Sequence, residues 1–270
     1  MQGRERLNRL YHVAWLFLNQ SEYSRFRTWN AHLAQQAMKD GDARYLSVAR
    51  INELRSRFDN GDGAAGRKIE QLAHSEPDWF ARAHAMRTQA YVLIQDRQIG
   101  AALRLLSGGD SVVPRNDPYT GAARSGVWEI EGLALMSLKD LNGASLAFGR
   151  SQFEFADPSY PRPHFHPLYN LARLASEMGR VPLAQRMAGG HHRLAERAEL
   201  PNLKLWERNL CAMVAEARNA PAQVLRWHDG LGEVPALPAA LRGVRAPARP
   251  AAVPRPDARL AAGVHDPLTD

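Results

Sequence analysis

The sequence predicts an all-α fold, and three observations carry the prediction. Apolar residues recur at spacings of three and four from Arg4 to His228, and no stretch alternates as a half-buried strand does. A unit of helix, short turn and helix also returns at a near-constant period. The small residue that opens each second helix falls at Ser24, Ala65, Ala102, Ala144, Ala184 and Ala222, with separations of 41, 37, 42, 40 and 38 residues. The pattern gives about six helix pairs, each a unit that cannot bury its apolar face alone.

The first pair covers about residues 4 to 38. Its apolar run, Tyr11 to Leu18, is far shorter than the ~20 residues that cross a bilayer. Arg4, Arg6 and Arg9 precede the run as in a signal peptide, but Asn19, Gln20, Ser21 and Glu22 stand where a small-residue cleavage site would lie, so the segment reads as a core helix. The second pair covers 43 to 75, with Leu46, Val48, Ile51, Leu54 and Phe58 as one helical stripe. Asn60-Gly61-Asp62-Gly63 ends that helix with residues suited to a C-cap and turn, and a helix from Ala64 to His74 follows.

Pro77-Asp78 opens the third pair, 78 to 108, and Ser107-Gly108-Gly109-Asp110 reads as a helix stop and loop. The fourth covers 120 to 153, the fifth 165 to 199 and the sixth 202 to 229. Asp157-Pro158, Pro161, Pro163 and Pro201-Asn202 fall between pairs, where proline breaks or starts helices. The repeat domain is thus residues 1–230. From 231 to 270, seven prolines interleave with Ala and Arg, predicting an extended or disordered tail.

The chain has 270 residues, 45% of them hydrophobic, which is ample for a buried core. Lys+Arg 35 against Asp+Glu 28 gives a formal charge of +7, favouring an acidic protein or peptide partner, with nucleic acid as the rival. The tail arginines Arg242, Arg245, Arg249, Arg255 and Arg259 are nearly balanced by Glu233, Asp257, Asp266 and Asp270, and no aromatic stacking platform accompanies them. A single cysteine, Cys211, allows no intramolecular disulfide and suits a reducing cytoplasm.

In the fourth pair Trp128, Gly132 and Leu135, then Ala144 and Phe148, then Pro158 resemble the tetratricopeptide signature, although Glu131 and Leu135 depart from its Leu and Tyr. Leu168, Leu171, Ala172, Ala175, Gly179 and Ala184 in the fifth pair are similar, as are Met86, Ala90, Leu93, Ala102 and Leu106 in the third; the sixth keeps Trp206 and Ala222. In the first two pairs His12 and Glu53 stand where small residues are expected. The resemblance implies a right-handed α-α superhelix and a protein- or peptide-binding module, an adaptor or a sensory domain in bacterial-type signalling. HEAT-like pairs share the repeat length. His265-Asp266-Pro267-Leu268-Thr269-Asp270 is similar to the opening of a diguanylate cyclase domain, so an alternative is the sensory portion of such an enzyme.

In tetratricopeptide proteins the first helices line the concave face. That register makes Arg50, Arg87, Thr88, Tyr91, Glu129, Tyr169, Asn170, Arg173 and Arg208 the candidate peptide-binding residues. Arginine forks suit carboxylates, and Asn170 resembles the peptide-holding asparagine of related repeats. His164, His166, His191 and His192 cluster in sequence but lack Cys or acidic residues at ligand spacing. There is no Walker loop, dinucleotide fingerprint or nucleophile elbow, and Cys211 beside Leu210 and Met213 reads as a core residue. Neither an enzyme, a cofactor nor a metal site is expected. Trp15 and Phe17 on a terminal pair would be costly to leave exposed, which raises the possibility of a homodimer.

Overall fold

Helix boundaries are set by one recurring backbone turn. The computed structural model describes residues 2–228, apart from 20, 115, 118, 155–164 and 199–200. Its helices are α1 (Gln2–Asn19), α2 (Tyr23–Asp40), α3 (Ala43–Asp59), α4 (Gly63–Ser75), α5 (Trp79–Gln95), α6 (Ile99–Ser107), α7 (Gly109–Val112), α8 (Thr120–Ser137), α9 (Leu141–Glu154), α10 (Phe165–Glu177), α11 (Val181–Ala198), α12 (Pro201–Ala217) and α13 (Pro221–His228). No strand occurs among the described residues.

Between α1 and α2, α3 and α4, α5 and α6, α8 and α9, α10 and α11, and α12 and α13, a single residue takes the left-handed conformation. These residues are Ser21, Gly61, Arg97, Lys139, Gly179 and Asn219, and Gly41 makes the same turn between α2 and α3. The amide of the following residue bonds back to the carbonyl five positions earlier, as from Asp62 to Phe58's neighbour Arg57, Gln98 to Leu93 and Arg180 to Ala175. This closure satisfies the last carbonyls of the helix while reversing the chain in two residues. The next helix starts at once. Asp62 caps α4 by accepting from the amides of Ala64 and Ala65, and Asp78 caps α5 through Phe80 and Ala81.

The helices pack in neighbouring pairs, consistent with a helical repeat. The first helix of one pair also touches the first helix of the next, α1 to α3, α3 to α5, α5 to α8 and α10 to α12. The second helices α2, α4, α6, α9 and α11 bridge to the following first helix. Small residues make the close approaches. Ala65, Ala102, Ala144 and Ala184 are 0% exposed, while Ser24 and Ala222 in the outermost pairs are exposed. Gly132 faces the buried Phe148 ring so closely that an added Cβ would lie 2.5 Å from it.

Three expectations are corrected. Helix α3 is not buried along one stripe: Tyr45, Val48, Ala49, Ile51, Asn52, Leu54, Arg55 and Ser56 are all buried because α1, α2, α4 and α5 surround it, and Leu46 is exposed. The segment after Ser107 is not only loop. Gly108 keeps helical backbone angles and α7 forms one further turn, with Val112 and Val113 on the core. Phe17 is buried within its own chain and Trp15 is partly buried.

Helix α1 also meets a distant part of the chain. Its Leu16 packs on a cluster built from Tyr169, Ala172, Ala184 and Trp206, far along the sequence. Residues 231–270, including the tail arginines and the His265–Asp270 motif, lie outside the described residues, as do Pro158 and His164.

Candidate functional site

The nine candidate residues fall into two buried groups and three more exposed positions. Arg87, Thr88 and Tyr91 on α5 are buried, as are Tyr169, Asn170 and Arg173 on α10. Arg50 is exposed, and Glu129 and Arg208 are partly buried. Six of the nine therefore stand inside the fold, because the first helices stack on one another and α1 covers the α5 group.

On α5 the sequence packs small residues, Ala81, Ala83, Ala85 and Ala90, between large polar ones, so neighbouring helices come close enough to bury the polar side chains. The Arg87 guanidinium donates through Nη2 to the Tyr11 hydroxyl at 2.8 Å and to His84 Nδ1 at 2.7 Å. Trp15 of α1 lies under the same guanidinium, 4.3 Å from its carbon to the ring centre. Gly126 of α8 makes room on another side, since a Cβ there would fall 2.1 Å from Arg87 Nη1. Thr88 turns inward and donates to the His84 carbonyl at 2.8 Å.

From His84 a chain of polar groups runs back to α2. His84 Nε2 bonds to Asn52 Oδ1 at 2.8 Å, Asn52 Nδ2 to Asn30 Oδ1 at 3.3 Å, and Asn30 Nδ2 to the Ala49 carbonyl at 2.9 Å. Every member is buried. Beside it Arg55 pairs with Asp59 at 3.1 Å and lies 3.5 Å over the Tyr91 ring. Burial alone lowers the pKa of Arg55, and the Asp59 carboxylate and Tyr91 outweigh it, leaving it above its ordinary value. Burial pushes His84 the other way, well below its ordinary value of 6.5, and the charges of Arg87 and Arg55 push it further.

The α10 group is smaller. Arg173 pairs with Glu177 at 3.4 Å, and Glu177 also faces Lys139, in the turn between α8 and α9, at 3.7 Å. The Tyr169 hydroxyl accepts from Asn209 of α12 at 2.8 Å, and burial raises its pKa against the pull of Arg173 and that bond. Asn170 Oδ1 is buried without a hydrogen-bond donor among the described residues.

His192 sits between Glu207 and Glu196, while His191 is buried. No group of three or more His, Cys, Asp or Glu side chains placed to hold a metal ion occurs among the described residues. Cys211 is buried in α12. No described helix is long and apolar enough to cross a membrane.

Sequence reading missed Tyr11, Trp15, Asn30, Asn52, Arg55 and His84. The available signal was polar side chains at core positions of α2, α3 and α5, each next to an apolar residue. In comparisons with known proteins, the chain matches no family model, no curated protein and no solved structure.

Proposed function

We propose that the chain is a tetratricopeptide-like superhelix of six helix pairs that binds an acidic or extended protein segment along its first helices. It would act as a cytoplasmic adaptor or as the sensory part of a signalling system. The observation behind this reading is the succession of contacts between first helices, α1 to α3 to α5 to α8 and α10 to α12, since α3, α5, α10 and α12 carry Arg50, Arg87, Arg173 and Arg208. Arginine forks on these helices match carboxylates in both charge and geometry.

The test is affinity capture from a cell extract with the full chain and with two variants. One carries Arg87, Asn170 and Arg173 replaced by Ala, and the other Arg50→Ala with Arg208→Ala, positions whose greater exposure spares the fold. Thermal melts establish that each variant is folded. Loss of the same partners from both supports the first helices as the binding surface. An unchanged set of partners in folded variants overturns it.

A further inference from the structure

Four arginines of the described chain are buried, and three of them face a carboxylate. Arg44 pairs with Asp78 at 2.9 Å, Arg55 with Asp59 at 3.1 Å and Arg173 with Glu177 at 3.4 Å. Arg87 has no carboxylate among the described residues. Its hydrogen bonds go to two neutral groups, the Tyr11 hydroxyl and His84 Nδ1, and its Nε has no acceptor there. A buried cation is ordinarily matched by an anion, since taking a charge out of water without one is costly.

What stands against Arg87 instead is an aromatic face. The Trp15 ring centre lies 4.3 Å from Arg87 and 5.4 Å from Arg55, so two guanidinium groups share one indole. Tyr11, Arg55, His84, Arg87 and Tyr91 are buried, whereas Trp15 is only partly buried and borders solvent. An indole face offers a cation weak electrostatic compensation and no hydrogen-bond acceptor for Nε. A carboxylate offers both.

We propose that Trp15 is a displaceable cover over a carboxylate-binding site formed by Arg87, with the Asp59-paired Arg55 beside it, and that its ligand is an acidic side chain of a partner segment. This rests on the acidic-segment reading above and adds where the acid binds and what guards the position. Opening the site requires rotation of this one partly buried side chain, while the buried Leu7, Tyr11, Ala14 and Leu18 hold α1 in place.

The probe is a short fluorescein-labelled peptide of alternating Glu and Gly, with the Gln-for-Glu peptide as control, titrated into the full chain by fluorescence anisotropy. Trp15→Ala is expected to bind the acidic peptide roughly tenfold tighter than the unaltered chain, the factor a desolvated cation–π contact is worth. Trp15→Ala with Arg87→Gln is expected to lose that gain, and the Gln peptide to bind neither. Trp15→Phe retains a smaller ring and is expected to fall between, which keeps the test open if Trp15→Ala does not fold. Equal affinity in the Trp15 variants and the unaltered chain overturns the cover while leaving the acidic-segment reading standing. Binding by none of them overturns both, and a gain that survives Arg87→Gln places the acid elsewhere and overturns the site.

Discussion

The hydrogen bond from Arg87 to His84 fixes which nitrogen of the imidazole carries its proton. A guanidinium has donors only, so His84 Nδ1, 2.7 Å away, must accept. Nε2 then carries the hydrogen and donates to Asn52 Oδ1. Asn52 donates onward to Asn30, and Asn30 to the Ala49 carbonyl, so every bond in the chain points away from the arginine. The arrangement holds only while His84 is neutral, because a protonated imidazole would turn a second donor on Arg87.

Stability is therefore expected to fall in acid through His84. Its folded pKa lies well below 6.5, so below about pH 6.5 the unfolded chain takes up a proton that the folded chain refuses. The contribution is fully present above that pH. It is lost on acidification at up to about 1.4 kcal/mol per pH unit, until the folded value is reached. Urea melts at about pH 7.5, 6.5 and 5.5 measure this, and His84→Gln supplies the reference without the titration. A reference chain that loses as much stability as the unaltered one would remove His84 as the cause.

Asn52 is the joint of the polar chain, fully buried and bonded on both sides. Replacing it by Ala strands the His84 donor and one acceptor of Asn30 in the core. Each stranded group costs about 1–3 kcal/mol, so the loss should exceed that of an ordinary surface change severalfold. In a double-mutant cycle with Asn30→Ala the two losses should be less than additive, since they break one network. Strict additivity would show that the 3.3 Å contact carries no coupling.

The turns show what the sequence could and could not convey. Asn60-Gly61-Asp62-Gly63 was legible as a helix end because glycine adopts a left-handed backbone at no steric cost. Arg97 and Lys139 occupy the same place with φ near +60°, 61° and 64°, and no local residue preference announces them. The repeat period located those turns instead, through Ala102 and Ala144 five residues on. The polar chain escaped because its members are 22 and 32 residues apart and meet only after the helices stack. The candidate arginines lie on α3, α5, α10 and α12, but spacing along one helix says nothing about how tightly the next one covers it.

Arg97 offers a direct measurement of the strain in these turns. A non-glycine residue in the left-handed region costs about 1–2 kcal/mol relative to glycine, offset in part by the greater freedom glycine has in the unfolded chain. Arg97 is exposed, so Arg97→Gly loses little packing. It is expected to raise stability by about 0.5–1 kcal/mol, read as a higher midpoint in urea with an unchanged slope. A lower midpoint would mean that the arginine side chain contributes a contact worth more than the strain.

Gly132 and Gly149, both helical, should respond to alanine with opposite signs. In an open helical position Gly→Ala gains about 1 kcal/mol from propensity. Gly149 on α9 has nothing within 4 Å of an added Cβ, so Gly149→Ala should gain about that amount. At Gly132 three ring carbons of Phe148 would lie 2.5, 2.6 and 2.8 Å from the methyl, and the ring is fully buried. Overpacking of that kind costs about 1–3 kcal/mol and outweighs the propensity gain, so Gly132→Ala should lower the melting temperature. Phe148→Leu in the same chain should return part of the loss, because the smaller side chain frees the space the methyl needs. If Gly132→Ala instead stabilised the protein as Gly149→Ala does, α8 and α9 would not approach as closely as the glycine and the ring require.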